Sequence, residues 1–108
     1  MGIAYKVLGQ SAPAATTDTT LYTAPAATQA VCSTLAVCNR GVSTTFRVAV
    51  RPAGATLANE HYVVYDNFVE QYDTVFLTLG VTLAATDVVT IYAGAATLSF
   101  SLFGSEIT

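Results

Sequence analysis

Charge is what this chain has least of. Of its 108 residues, 10% are Asp, Glu, Lys or Arg, and the formal net charge is -3; an average globular domain carries about 25%. Only Lys6, Arg40, Arg47 and Arg51 are basic. Four cations cannot neutralise a run of phosphates, so a duplex nucleic-acid binder is not expected. Disorder is not expected either, because 53% of the residues are hydrophobic and disordered chains are apolar-poor and charge-rich.

Long apolar runs are also missing. A membrane helix needs about 20 consecutive apolar residues, and Thr, Ser, Gly or Asp breaks every run here within a few positions. After Lys6, only Val7-Leu8-Gly9 precedes polar residues, too little for a signal peptide. Lys6 also stands where a myristoylation motif on Gly2 wants Ser or Thr. The expectation is a soluble chain made in the cytoplasm, with no membrane partner.

Chemistry-bearing residues are sparse. There is no Trp and one histidine, His61, which reads as a strand residue at the start of Glu60-His61-Tyr62. The seven glycines form neither a dinucleotide fingerprint nor a P-loop, and no nucleophile elbow occurs. Asp66, Glu70 and Asp73 lie close in sequence, but Phe68 and Val69 interrupt them. Their spacing fits no calcium loop, and the stretch reads as a solvated inter-strand loop. No enzyme activity, cofactor or metal is expected. Cys32 and Cys38, six residues apart, would share a face of one strand about 20 Å apart. A disulfide needs Cα atoms within about 7 Å, so both are expected as free thiols.

What the chain does have is period-2 alternation. Val75, Leu77, Leu79, Val81 and Leu83 alternate with Thr74, Phe76, Thr78, Gly80 and Thr82. That spacing gathers the first set on one side of a strand. Leu98, Phe100 and Leu102 alternate with hydroxyl residues, and Phe46, Val48 and Val50 with Thr45, Arg47, Ala49 and Arg51. The runs Val31 to Cys38 and Val88 to Ala93 are apolar on both faces, as strands are that lie centrally or under another subunit. Tyr5 to Leu8, Leu21 to Thr23 and Tyr62 to Tyr65 are rich in β-formers.

Turn residues fall between these runs, at Ser11 to Ala14, Ala24 to Ala26, Asn39 to Gly41, Arg51 to Gly54 and Ala84 to Asp87. A helical turn fits only around Thr56 to Asn59. About eight strands spaced roughly 8–12 residues apart predict an all-β, single-domain antiparallel sandwich over residues 1–108, jelly-roll-like or Ig-like. The expected core is Val75, Leu77, Leu79, Val81, Leu98, Phe100 and Leu102.

The outward positions then offer a candidate interface. Arg47 and Arg51 share a strand face about 13 Å apart. They can face Glu60 or Glu70 of a neighbouring strand, or carboxylates of a partner chain. Six tyrosines are many for a small sandwich, and Tyr is enriched at interfaces. Tyr62, Tyr65 and Tyr72 join the two arginines as candidate contact residues.

Leu21 to Ala26, Val31 to Gly41, Phe46 to Gly54, Leu83 to Val89 and Phe100 to Ile107 together resemble a pattern common in small virion proteins of tailed bacteriophages. The resemblance covers nearly the whole chain and contains no catalytic motif. It implies a β-sandwich that decorates the capsid as a cement protein, bound to the major capsid protein or another virion protein. A homo-oligomer is expected, a trimer before other symmetries. The rival expectations are a tail, neck or fibre component and, from another class, a carbohydrate-binding module for host attachment.

Overall fold

The structure is a computed structural model, and it describes residues 2–108. Eight strands follow one another: β1 (Ile3–Ser11), β2 (Thr19–Thr23), β3 (Gln29–Asn39), β4 (Thr44–Arg51), β5 (Tyr62–Val69), β6 (Thr74–Leu83), β7 (Val88–Ala93) and β8 (Leu98–Ile107). They form two four-stranded antiparallel sheets, in the orders β1-β8-β3-β6 and β2-β7-β4-β5. We call these the β1 sheet and the β2 sheet. The pairs β1·β8, β2·β7, β3·β6 and β4·β5 are those of one long ribbon folded back on itself and rolled up. That is the jelly-roll arrangement, and it decides between the two sandwich types open from sequence. The runs apolar on both faces are central, β3 between β8 and β6, and β7 between β2 and β4.

The core lies between the sheets. Phe46 of β4 meets Phe100 of β8 edge-on, with ring centroids 6.0 Å apart. Leu35, Val37, Ile91, Leu98 and Leu102 pack around them, all fully buried. The expected core residues of β8 are therefore correct. Those of β6 need correction: Val75, Leu77, Leu79 and Val81 face inward but remain only half-buried, because β6 is an edge strand.

The shared face of the two cysteines is also corrected. The register of β3 breaks between Cys32 and Thr34 against both neighbours. The extra residue reverses the parity of the strand. Ala30 and Cys32 point inward, then Leu35, Val37 and Asn39 do, and Cys38 is left outside. Both thiols are free. Matching breaks at Val7/Gly9 on β1 and opposite Leu79 and Gly80 on β6 carry this bend across the whole β1 sheet.

Three other readings change. Helical turns occur at Pro52–Gly54 and Asn59–His61, not over Thr56 to Asn59. His61 therefore ends a 3₁₀ turn and does not open a strand; its Nδ1 accepts a hydrogen bond from the Ala58 N–H at 3.0 Å. Asp66 to Val69 belong to β5, and only Glu70 to Asp73 form a turn.

Candidate interaction surface

The candidate residues sort onto the outer face of the β2 sheet. Parity along β4 buries Phe46 and Val48 and turns Arg47 outward. Across the ladder Arg47 stands opposite Tyr92 of β7. On its other side β5 carries an extra residue, and Asp66 takes a left-handed backbone there (φ 52°). Asp tolerates that conformation better than most residues.

This places the Asp66 carboxylate against Arg47, with Nε donating to Oδ1 at 2.7 Å and Nη2 to Oδ2 at 3.4 Å. The guanidinium carbon lies 4.2 Å from the Tyr65 ring centre and 4.3 Å from that of Tyr92. Tyr62 meets Tyr65 edge-on at 4.9 Å. Arg47, Tyr62 and Tyr65 are thus brought together, with Asp66 in place of the expected Glu60 or Glu70. Because Asp66 and two rings already satisfy Arg47, a partner's carboxylate would compete with an internal one.

Arg51 and Tyr72 lie apart from this group. Arg51 donates to Thr90 Oγ1 at 3.0 Å and to the carbonyls of Gly54 and Ala55. It fastens the β4–β5 connection over the outer face of its own sheet, where Ala49, Val88 and Thr90 are consequently buried. Tyr72 is 75% exposed at the β5–β6 turn. Among the described residues no three His, Cys, Asp or Glu side chains converge as metal ligands. Among the described residues, too, no helix is long and apolar enough to cross a membrane.

Sequence reasoning missed the opposite face. Its outward residues are Ile3, Tyr5, Val7 and Gln10 on β1, and Phe103, Ser105 and the other serines of β8. Val31, Ser33, Ala36 and Cys38 follow on β3, then the Phe76 and Thr positions of β6. None of these outward side chains is Asp, Glu, Lys, Arg or His. Ile3, Tyr5, Val7 and Phe76 are 56%, 84%, 48% and 71% exposed. A shallow groove of about 530 Å³ runs over this face, between Tyr5, Val7, Val31, Ser33, Phe103 and Ser105. Lys6 also borders the groove, and Arg40 is folded down at one end of the face onto Ser99 Oγ (2.9 Å) and the Ala96 carbonyl. The parity of β1 and β8 was the available signal; the β3 bulge hid how their faces align.

Lys6 and Glu106 point the other way, toward the β2 sheet, with the Lys6 side chain still half-exposed. Lys6 Nζ pairs with Glu106 at 2.6 Å, and Tyr22 donates its hydroxyl to the same carboxylate from the β2 sheet. Tyr22 is buried, so it is not one of the contact tyrosines. Lys6 first, then the Tyr22 hydroxyl, hold Glu106 below the ordinary carboxylate range. Burial first, then the Glu106 hydrogen bond, push the Tyr22 phenol well above its ordinary value.

Comparison with known proteins gives no match to a family model, to a curated protein or to a solved structure.

Proposed function

We propose that the chain is a non-enzymatic structural protein of a tailed-bacteriophage virion, a decoration protein that binds the assembled capsid lattice and associates with its own copies. The observation that carries this reading is the outer face of the β1 sheet, four strands wide, with no Asp, Glu, Lys, Arg or His among the outward residues named above and with exposed Tyr5 and Phe76. Charge depletion with aromatic enrichment marks the centre of protein interfaces. Soluble monomers rarely expose apolar patches beyond a few hundred Å². Jelly rolls recur in viral capsid domains, and also in lectins, which supports the reading by analogy of fold alone.

Such a protein needs no chemistry. By binding the assembled lattice and not its dissociated subunits it stabilises the lattice through mass action, and many linked copies add avidity. The test is immunogold labelling of purified phage particles with an antibody to this chain. Labels spread over the heads are expected. Labels confined to one vertex or the tail would favour a tail, neck or fibre component, and unlabelled particles would overturn the virion reading.

A further inference from the structure

Of the four edge strands, β6 alone is long and free of both charge and proline; its one register break lies at Leu79 and Gly80. Natural edges are blunted by charge, proline, bulges or shortness. The β1 edge has Lys6, β2 is only five residues long, and β5 has Asp66 and two register breaks. β6 runs ten residues without a charge or a proline. It pairs with β3 on one side and with no strand on the other. Among the described residues, no loop adds a backbone bond to its free side. Its inward residues Val75, Leu77, Leu79 and Val81 stay half-buried, while Leu98, Phe100 and Leu102 two strands away are at 1% exposure or less.

The sequence of this edge reads nearly the same in both directions about Thr78: Thr74-Val75-Phe76-Leu77-Thr78-Leu79-Gly80-Val81-Thr82. We infer that β6 pairs antiparallel with β6 of a second copy about a two-fold axis at Thr78, joining two four-stranded sheets into one of eight. This rests on the reading that copies of the chain associate, and it replaces the three-fold expected from sequence with a two-fold.

In that register Leu77 stands opposite Leu79, Val75 opposite Val81 and Thr74 opposite Thr82, each pair on a common face, with no like charges opposed. The one break in the palindrome sets Phe76, 71% exposed, opposite Gly80. A side chain at Gly80 would meet no atom within 4 Å, so there is room for a ring, and an aromatic residue opposite an edge glycine shields it. Pairing over these nine residues of β6 supplies at most about nine hydrogen bonds, fewer by those lost at the Leu79–Gly80 break, against the roughly ten of a typical interface. It also covers the half-buried inward residues. Self-complementarity is what selects a second copy over a foreign strand.

The experiment is a cysteine cross-link, with Thr78→Cys made in a Cys38→Ser background because Cys38 is exposed while Cys32 is buried. At the axis the two copies of position 78 have Cα atoms about 4.5–5.5 Å apart, within disulfide reach. Position 82 lies about 27 Å from its own copy, so Thr82→Cys is the control. Mild oxidation should link the Thr78→Cys chain at least about tenfold faster than the control, and the unmodified chain should sediment as a dimer. Equal rates at the two positions would overturn the β6 axis, even if the unmodified chain forms oligomers by another surface. A monomer at high micromolar concentration would overturn both the axis and self-association. Unlabelled phage particles would sink the virion reading and leave the axis standing.

Discussion

At one end of the sandwich three connections meet on a buried amide; at the other, three meet on a carboxylate. Asn39, 1% exposed, donates from Nδ2 to the carbonyls of Val42 (2.8 Å), Glu70 (3.1 Å) and Val69 (3.3 Å). Its Oδ1 accepts from the Gly41 N–H and the Thr97 hydroxyl, each at 3.0 Å. One side chain thereby ties the β3–β4, β5–β6 and β7–β8 connections. Asp87 does the corresponding work opposite. Its oxygens accept from the N–H groups of Ala53 (2.8 Å) and Ala84 (2.9 Å), while its carbonyl and the Thr86 N–H bond Ala24. The β2–β3, β4–β5 and β6–β7 connections are joined. The Asp87 end also holds Lys6, Glu106 and Tyr22. One latch is neutral and dry, and the other is charged and partly wet. Stability at the first should ignore pH, and at the second it should not.

The largest effect should come from removing the dry latch. Asn39→Ala removes five hydrogen bonds, orphaning the buried Val69 carbonyl and four part-buried groups, so a loss of roughly 3 kcal/mol is expected at about 1–3 kcal/mol for the buried group and less for each of the others. Asp87→Ala frees two N–H groups that water can reach, and about 1–2 kcal/mol should go, as for a lost cap. Denaturant titration of both variants checks the order. An Asp87→Ala loss equal to or above that of Asn39→Ala would break the comparison.

Neither latch was legible from sequence. Asn39 reads as an ordinary turn residue in Asn39-Arg40-Gly41, because its five partners come from three connections that only the rolled-up topology brings together. The strands themselves were legible, since alternation is a local property and survives whatever the sheet order. Sheet order is set by pairing between distant residues, so jelly-roll and Ig-like arrangements look alike in the alternation. Of the bulges, Gly80 inside the β6 run signals the break on that strand, where its φ is 61°, but β3 gives no such sign. Nothing near Ser33 marks the extra residue that reverses β3, so counting parity from Cys32 to Cys38 gave the wrong face. At the candidate surface, parity correctly turned Arg47 outward. It could not find Tyr92, which sits in a run apolar on both faces, or Asp66, whose left-handed backbone aims it at Arg47.

The second prediction uses pH to separate the ends. Glu106 has its folded pKa depressed, so its contribution is present above the unfolded value, near 4.3, and is lost as pH falls through the folded value. Tyr22 has its folded pKa raised, so its contribution is full below the ordinary phenol value, near 10, and is lost as pH rises beyond it. Hydrogen exchange should show the β1 start and the β8 end loosening first below about pH 4 and above about pH 10, while the Asn39 turns stay protected. Glu106→Gln should remove the acid-side change. Simultaneous opening of both ends in the wild-type chain would show that the Lys6, Glu106 and Tyr22 group does not set the pH response.

The smallest energetic effect, and the sharpest local report, comes from the thiols. Cys38 adjoins the Asn39 latch but faces solvent, so alkylating it should leave stability unchanged. Cys32 lies inside toward the titratable end, and burial pushes its thiol up to about 11. The reactive species is the thiolate, and at neutral pH Cys32 offers neither charge nor access. Alkylation of the folded chain should therefore add one adduct, at Cys38, and the second only on unfolding. Raising the pH toward 11 should speed the Cys32 reaction for two reasons that can be separated. Ionisation of the thiol alone would raise the rate in wild type and in Tyr22→Phe alike. Opening driven by the Tyr22 phenol would raise it further in wild type only. Two adducts forming at equal rates in the native state would put both thiols on one face, as an unbroken β3 would have placed them, and would remove the bulge on which the inward position of Cys32 depends.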